Sequence, residues 1–236
     1  MPAQEFENRV AIVTGASSGI GRATAELLIE RGARVAVFAR SAGKLKSLAR
    51  KYGERMISVP GDVSDARSVE RLFVETESRF GRCDILINDA GTYISKRIEK
   101  MSERDWDRVF AVNVRGAFLT IRRAAKGMIA RRSGAIVNVS SISGVLGPEK
   151  FPGFSAYCAS KAALISFTES LAVELKEHGI RVNCVSPGSV DTGMWAAVSG
   201  GAPANMTPAE VAEVILFLAS ERWRPINGQN IHVYSS

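Results

Sequence analysis

Two spacings of apolar residues alternate along this chain. The first is a short, nearly continuous apolar run ended by turn-forming residues. It occurs at Val10-Ala11-Ile12-Val13, Val35-Ala36-Val37-Phe38, Met56-Ile57-Ser58-Val59, Ile85-Leu86-Ile87, Ala135-Ile136-Val137-Asn138-Val139 and Ile180-Arg181-Val182-Asn183-Cys184-Val185. Such runs predict strands covered on both faces, because a strand with one wet face alternates apolar with polar positions. The second spacing recurs every three or four residues and predicts amphipathic helices over 23–29 with an end at Gly32, from about Ser64, over 106–130 and over 155–178. Strands alternating with helices throughout predict one α/β domain over 1–236, a doubly wound parallel sheet with helices on both faces. No linker or repeat interrupts the pattern.

The first strand runs straight into Thr14-Gly15-Ala16-Ser17-Ser18-Gly19-Ile20-Gly21, and a helix follows. Strand, glycine loop and helix together make a phosphate cradle. The glycines allow a tight turn and close backbone approach, and the first N–H groups of the helix meet the anion at the positive end of its dipole. A glycine-rich turn that binds nothing is the plainer reading, and the position in a first strand–helix unit argues against it.

Tyr157 and Lys161 stand four apart in Tyr157-Cys158-Ala159-Ser160-Lys161, within the helical spacing of 155–178. That spacing puts phenol and ammonium on one helix face. A phenol titrates near pH 10 and shuttles protons poorly at neutral pH, whereas a fixed neighbouring cation favours phenolate and lowers that value. Taken alone, the pair could equally be a half-buried Tyr and a solvated Lys.

With the glycine loop upstream, the chain resembles the short-chain dehydrogenase/reductase family in its main subgroup, over residues 8–233. The resemblance implies a Rossmann-type sheet of about seven strands, and hydride transfer that interconverts a ketone or aldehyde and an alcohol. It implies Tyr157 as general acid/base, Lys161 lowering its pKa and holding the ribose hydroxyls, Ser141 of Ser140-Ser141-Ile142-Ser143-Gly144 orienting the carbonyl oxygen, and Asn113 in a water relay to the lysine. For the cofactor it implies Gly15, Ser17, Ser18, Gly19, Ile20 and Gly21 at the phosphates, and Asp62 and Val63 at adenine. Asn88, Ala90 and Gly91 belong to the same site, as do Pro187, Gly188, Val190 and Thr192 around the carboxamide. Asp62 could as easily cap the helix beginning near Ser64. At the end of the second strand, Ala39 stands where the family carries an acidic residue when the ribose 2′-hydroxyl is free, and Arg40 and Ser41 follow. A guanidinium there can clamp a 2′-phosphate, so the implied cofactor is NADP(H).

Four departures from the family pattern stand out. Asp89 replaces the second Asn of the usual Asn-Asn-Ala-Gly. The stretch Gly147-Pro148-Glu149-Lys150-Phe151-Pro152-Gly153-Phe154 reads as a small insertion beside the pocket. Residues 192–208 are short and rich in small side chains, which suggests a reduced lid over an open site or a loop that orders on cofactor binding. The last residues, Ile231-His232-Val233-Tyr234-Ser235-Ser236, lack the Asp-Gly-Gly that often closes such chains. Phe151, Phe154, Met194 and Trp195 are the expected pocket lining.

Composition narrows the reading further. At 236 residues the chain suits one full core. No run approaches membrane length and the first residues have no secretory character, so a cytoplasmic protein is expected. Cys83, Cys158 and Cys184 follow no ligand spacing, which predicts reduced thiols and no metal. A formal charge of +7 can steer an anionic cofactor or substrate, and no nucleic-acid module is present. The partner expected is a small carbonyl or alcohol substrate. By resemblance, the helices over 106–130 and 155–178 would join subunits in a homotetramer or dimer. A rival reading is a catalytically silent NADP-binding sensor, from a different functional class.

Overall fold

The computed structural model describes residues 4–147 and 150–234. Residues 1–3, Pro148 and Glu149 of the expected insertion, and Ser235 and Ser236 lie outside the described residues. Seven strands, β1 (Val10–Thr14), β2 (Arg34–Ala39), β3 (Met56–Pro60), β4 (Ile85–Asn88), β5 (Gly134–Val139), β6 (Ile180–Pro187) and β7 (Asn230–Val233), form one sheet in the order β3-β2-β1-β4-β5-β6-β7. Every neighbouring pair is parallel. Eight α-helices are described: α1 (Gly19–Glu30), α2 (Ala42–Tyr52), α3 (Ala66–Phe80), α4 (Glu103–Phe110), α5 (Gly116–Arg131), α6 (Ser155–Glu174), α7 (Gly193–Val198) and α8 (Pro208–Ala219).

The period of two along β1 explains the two layers. Ala11 and Val13 point to a core shared with Leu28 of α1, Leu45 of α2 and Ile215 of α8. Ile12 points the other way, to a core with Phe73 of α3, Met128 of α5 and Leu164 of α6. Both faces of the sheet are therefore dry at its centre, as the uninterrupted apolar runs require. Ile12, Phe38, Leu86 and Ile136 are fully buried or nearly so. Each such side chain stabilises the fold by roughly 1.5–3 kcal/mol relative to leaving it in water.

Three expected helix boundaries shift, each for a local reason. The helix expected from Ser64 begins at Ala66, because Asp65 caps it by accepting from the N–H groups of Arg67 and Ser68. Asp62 instead closes its own turn, accepting from Ser64 N at 2.9 Å and Ser64 Oγ at 2.7 Å. The single helix expected over 106–130 is two, joined by a π-helical turn at Ala111–Arg115 around buried Asn113. The helix expected over 155–178 ends at Glu174, and a 3₁₀ turn at Lys176–His178 leads to Gly179 in the left-handed region, at φ 68°. Among the described residues, no helix is long and apolar enough to cross a membrane.

Candidate active site

The sheet order reverses direction between β1 and β4, and in open parallel sheets the ligand crevice lies there, beyond the carboxyl ends of the strands. Here Thr14 closes β1 and its Oγ1 accepts from the N–H groups of Asp89 and Ala90, at 3.2 and 3.1 Å. That pins the turn after β4 against the turn after β1. The resulting cleft measures about 390 Å³. Gly15, Ser17, Ser18, Gly19 and Ile20 line one side, and Ala39, Arg40, Ser41, Asp62 and Val63 line the next. Ala90, Gly91, Tyr157, Lys161 and Thr192 complete the wall.

The glycine loop needs its glycines for contact as well as for conformation. Gly15 sits at φ 73°, and a Cβ there would lie 2.8 Å from the backbone N of Ala90. A Cβ on Gly21 would lie 2.6 Å from Asp89 Oδ2 and 2.9 Å from the Gly15 carbonyl carbon. Ser18 enters α1 in an extended conformation and, among the described residues, gives that helix no side-chain cap. The N–H groups of Gly19 and Ile20 at the start of α1 are thus left for a ligand at the positive end of its dipole, while that of Gly21 meets Asp89. Ser41 likewise gives α2 no side-chain cap, and the exposed Arg40 has no carboxylate partner among the described residues. This donor set fits a dinucleotide with a further phosphate beside Arg40 and Ser41.

The other side of the cleft is built by Val139 and Ser140 at the end of β5 and by Tyr157 and Lys161 of α6; Ser141 is not among its lining residues. Ser141 follows β5 and opens a 3₁₀ turn, its Oγ accepting from Ser143 N at 3.1 Å. Gly144 ends that turn, and a Cβ on it would lie 2.6 Å from the carbonyl carbon of Lys161. Glycine at 144 therefore lets the serine turn press onto α6 beside Tyr157. Ser140 ties the same two elements, donating through Oγ to the Lys161 carbonyl at 2.8 Å. Tyr157 and Lys161 are both buried, at 9% and 4% exposure. Burial pushes the Tyr157 phenol up to about 12, against the pull of the Ser141 hydroxyl, and Asp89 adds to the rise.

The Lys161 Nζ donates to the Val139 carbonyl at 2.7 Å and stands 5.8 Å from the phenol ring centre. Burial also lowers the pKa of Lys161 itself, with Asp89 opposing. Ammonium and phenol share a face of α6, but the free backbone carbonyl at the end of β5 holds the cation.

Several expected residues lie off the cleft surface. Asn113 accepts from Thr92 N at 2.8 Å and donates to the Thr92 carbonyl and to Ser160 Oγ, each at 2.9 Å. Its side chain thus clamps the π-helical turn between α4 and α5 to α6 and to the segment after β4. Asn88 donates to Asn138 Oδ1 at 2.9 Å and accepts from Thr120 at 2.7 Å, so it crosslinks β4, β5 and α5 inside the protein. Pro187 ends β6, Gly188 N donates to the Val233 carbonyl, and Val190 pairs with Met206 in an isolated parallel bridge. Residues 192–208 form α7 and the turns that lead from it to α8. Thr192 caps α7 by accepting from Trp195 N, and its Cγ2 lies 3.1 Å from where a Cβ on Gly19 would stand. Trp195 donates its indole N–H to the Ala202 carbonyl at 2.9 Å, which stitches the lid, whereas Met194 lines the cleft. Phe154 meets Tyr157 edge to face at 6.1 Å and stacks on Tyr93 at 6.0 Å, while Phe151 lines a separate surface groove with Cys158.

Sequence reading missed Thr14 as a clamp, Thr92 and Ser160 as the partners of Asn113, and the Val139 carbonyl as the acceptor for Lys161. Each depends on a contact far along the chain, for which no local pattern exists. Among the described residues, no three His, Cys, Asp or Glu side chains gather as a metal site.

Residues 9–202 match the family model described as short chain dehydrogenase. Nodulation protein G of Rhizobium sp. (strain N33) is 38% identical over 239 residues, covering 97% of this chain and 96% of that protein. The 3-oxoacyl-(acyl-carrier-protein) reductase FabG of Vibrio harveyi is 35% identical over 238 residues, with 97% and 96% covered. A solved structure described as a short chain dehydrogenase/reductase family protein superposes with a TM-score of 0.87 at 36% identity, covering 97% of each chain.

Proposed function

This chain belongs to the short-chain dehydrogenase/reductase family, oxidoreductases that use a nicotinamide cofactor, and from that premise we propose that it is an NADPH-dependent ketoreductase acting on a 3-oxoacyl group. The observation that carries the reading is that Tyr157, Lys161 and the glycine cradle line one cleft. When bound, NADPH supplies the hydride that reduces the carbonyl carbon. Gly15, Ser17, Ser18, Gly19 and Ile20 hold its pyrophosphate, Arg40 and Ser41 its 2′-phosphate, and Asp62 and Val63 its adenine.

Tyr157 Oη donates its proton to the carbonyl oxygen, so the ketone becomes an alcohol and the phenol becomes phenolate. A phenol kept protonated by burial is the form a reduction needs at its start. Ser141 directs its hydroxyl at the same oxygen as negative charge grows there. Lys161 turns from the Val139 carbonyl toward the forming phenolate, and Asn113, on exchanging its contacts with Thr92 and Ser160, holds the water that restores the proton. α5 and α6 carry the outward Phe118 and Val173 to a homo-oligomeric contact.

The reading is tested with a 3-oxoacyl thioester, following loss of NADPH absorbance. Turnover is expected with NADPH. Arg40→Ala should weaken NADPH binding by about 10- to 100-fold while leaving NADH nearly unchanged, since charge-assisted hydrogen bonds contribute roughly 1.5–3 kcal/mol. Equal affinity of the wild type for both nucleotides overturns the NADPH assignment. Nucleotide binding without turnover on any ketone favours the sensor.

A further inference from the structure

Asp89 is the one departure in the glycine-loop region that changes a charge, and its surroundings make that charge consequential. Its backbone N–H is held by Thr14 Oγ1 at the end of β1. Its Oδ2 lies under the glycine loop, 2.9 Å from where a Cβ on Gly15 would stand and 2.6 Å from one on Gly21. The residue also lines the cleft beside Ala90 and Gly91. Each element packed around it bears on its charge. From α6, Lys161 favours the carboxylate, and Tyr157 is pushed up by it. From α1, the Gly21 N–H favours the carboxylate as well. Burial outweighs these and raises the carboxyl to about 7.

The cradle above Asp89 attracts anions through backbone N–H groups and a helix dipole. A carboxylate on its underside opposes a second anion on its upper side, and a neutral carboxylic acid does not. We propose that Asp89 is a positioning residue that couples cofactor binding to proton uptake: braced against Gly15 and Gly21, its carboxyl is neutral when the cradle holds an anionic dinucleotide. An Asn at this position would brace the loop in the same way at every pH, with no proton to exchange. The inference rests on the cleft being the nicotinamide-cofactor site, and it adds that the site senses pH from beneath.

The test is calorimetric titration of NADPH into the wild type and Asp89→Asn, in buffers of different ionisation enthalpy at pH 7.5–8.5. The wild type should take up a fraction of a proton that Asp89→Asn does not. Its dissociation constant should rise by up to about tenfold per pH unit above neutrality, and that of Asp89→Asn should stay flatter by the same factor. A wild type that takes up no proton, or equal uptake by both proteins, overturns the proposal and leaves the cofactor reading intact. Failure of both proteins to bind NADPH or NADH overturns the cofactor reading and this proposal with it. A ligand-free readout separates coupling from mere structure. A carboxyl raised in the folded protein contributes stability at low pH and loses it as pH climbs toward 7, so the melting-temperature advantage of Asp89→Asn should grow between about pH 4 and 7 and level off above. A pH-independent difference would mean the carboxyl does not titrate in place, and the proposal falls.

Discussion

The two walls of the cleft are made differently. On the β1–β2 side the useful groups are backbone N–H groups and a bare guanidinium, exposed because glycine removes side chains and because Ser18 and Ser41 leave α1 and α2 uncapped by side chains. On the β5–α6 side the useful groups are side chains, and in this structure nearly all are engaged with the protein itself. Lys161 holds the Val139 carbonyl, Asn113 holds Thr92 and Ser160, and Ser141 accepts from Ser143. One wall is built as a preset receptor, whereas the other rests in internal hydrogen bonds that must be exchanged before chemistry. On the proposed function, binding and catalysis would then fail by separate routes, and substitutions can tell them apart.

Tyr157→Phe carries the largest expected effect. It removes the hydroxyl from a buried ring without opening a cavity, so kcat should fall by about 10²- to 10⁴-fold while NADPH affinity holds. Steady-state kinetics beside a nucleotide titration would check this, and a parallel loss of affinity would break the separation of the two walls. Gly21→Ala acts on the opposite wall. Its Cβ would press on Asp89 Oδ2 and the Gly15 backbone, and overpacking of about 1–3 kcal/mol corresponds to roughly 5- to 150-fold weaker NADPH binding. At saturating NADPH, kcat should be nearly preserved. Unchanged affinity would mean that the cradle yields and is not preset. Phe154→Leu should give the smallest effect, a twofold to tenfold fall in kcat/KM, because an edge-to-face ring pair contributes about 0.5–1.5 kcal/mol to holding Tyr157. A series of ketones of increasing bulk would sharpen the comparison by separating loss of positioning from a widened pocket.

Legibility in the sequence followed the range of each interaction. The strands were readable because both faces of the sheet are buried, which leaves nearly unbroken apolar runs. The glycine loop was readable because a turn, a close approach and a helix start all fall within Thr14 to Gly21. The helix break at Ala111–Arg115 was not, since the residues there are acceptable in a continuous helix and the buried clamp from Asn113 to Thr92 marks the break. The form of residues 192–208 was hidden for a similar reason. Small residues suggested a loop, but the Val190–Met206 bridge, the Thr192 cap and the Trp195 indole fix it in place.

What the sequence alone determined was the doubly wound sheet, the glycine turn between β1 and α1, and the placement of phenol and ammonium on one helical face. All three follow from periodicity and local backbone geometry. Which partner each group prefers was decided by the tertiary structure. Burial raises Tyr157, a carbonyl at the end of β5 claims Lys161, and the underside of the cradle raises Asp89 to about 7. Protonation and hydrogen-bond choice depend on desolvation and on neighbours brought together from distant parts of the chain, and neither is encoded in the spacing of residues along it.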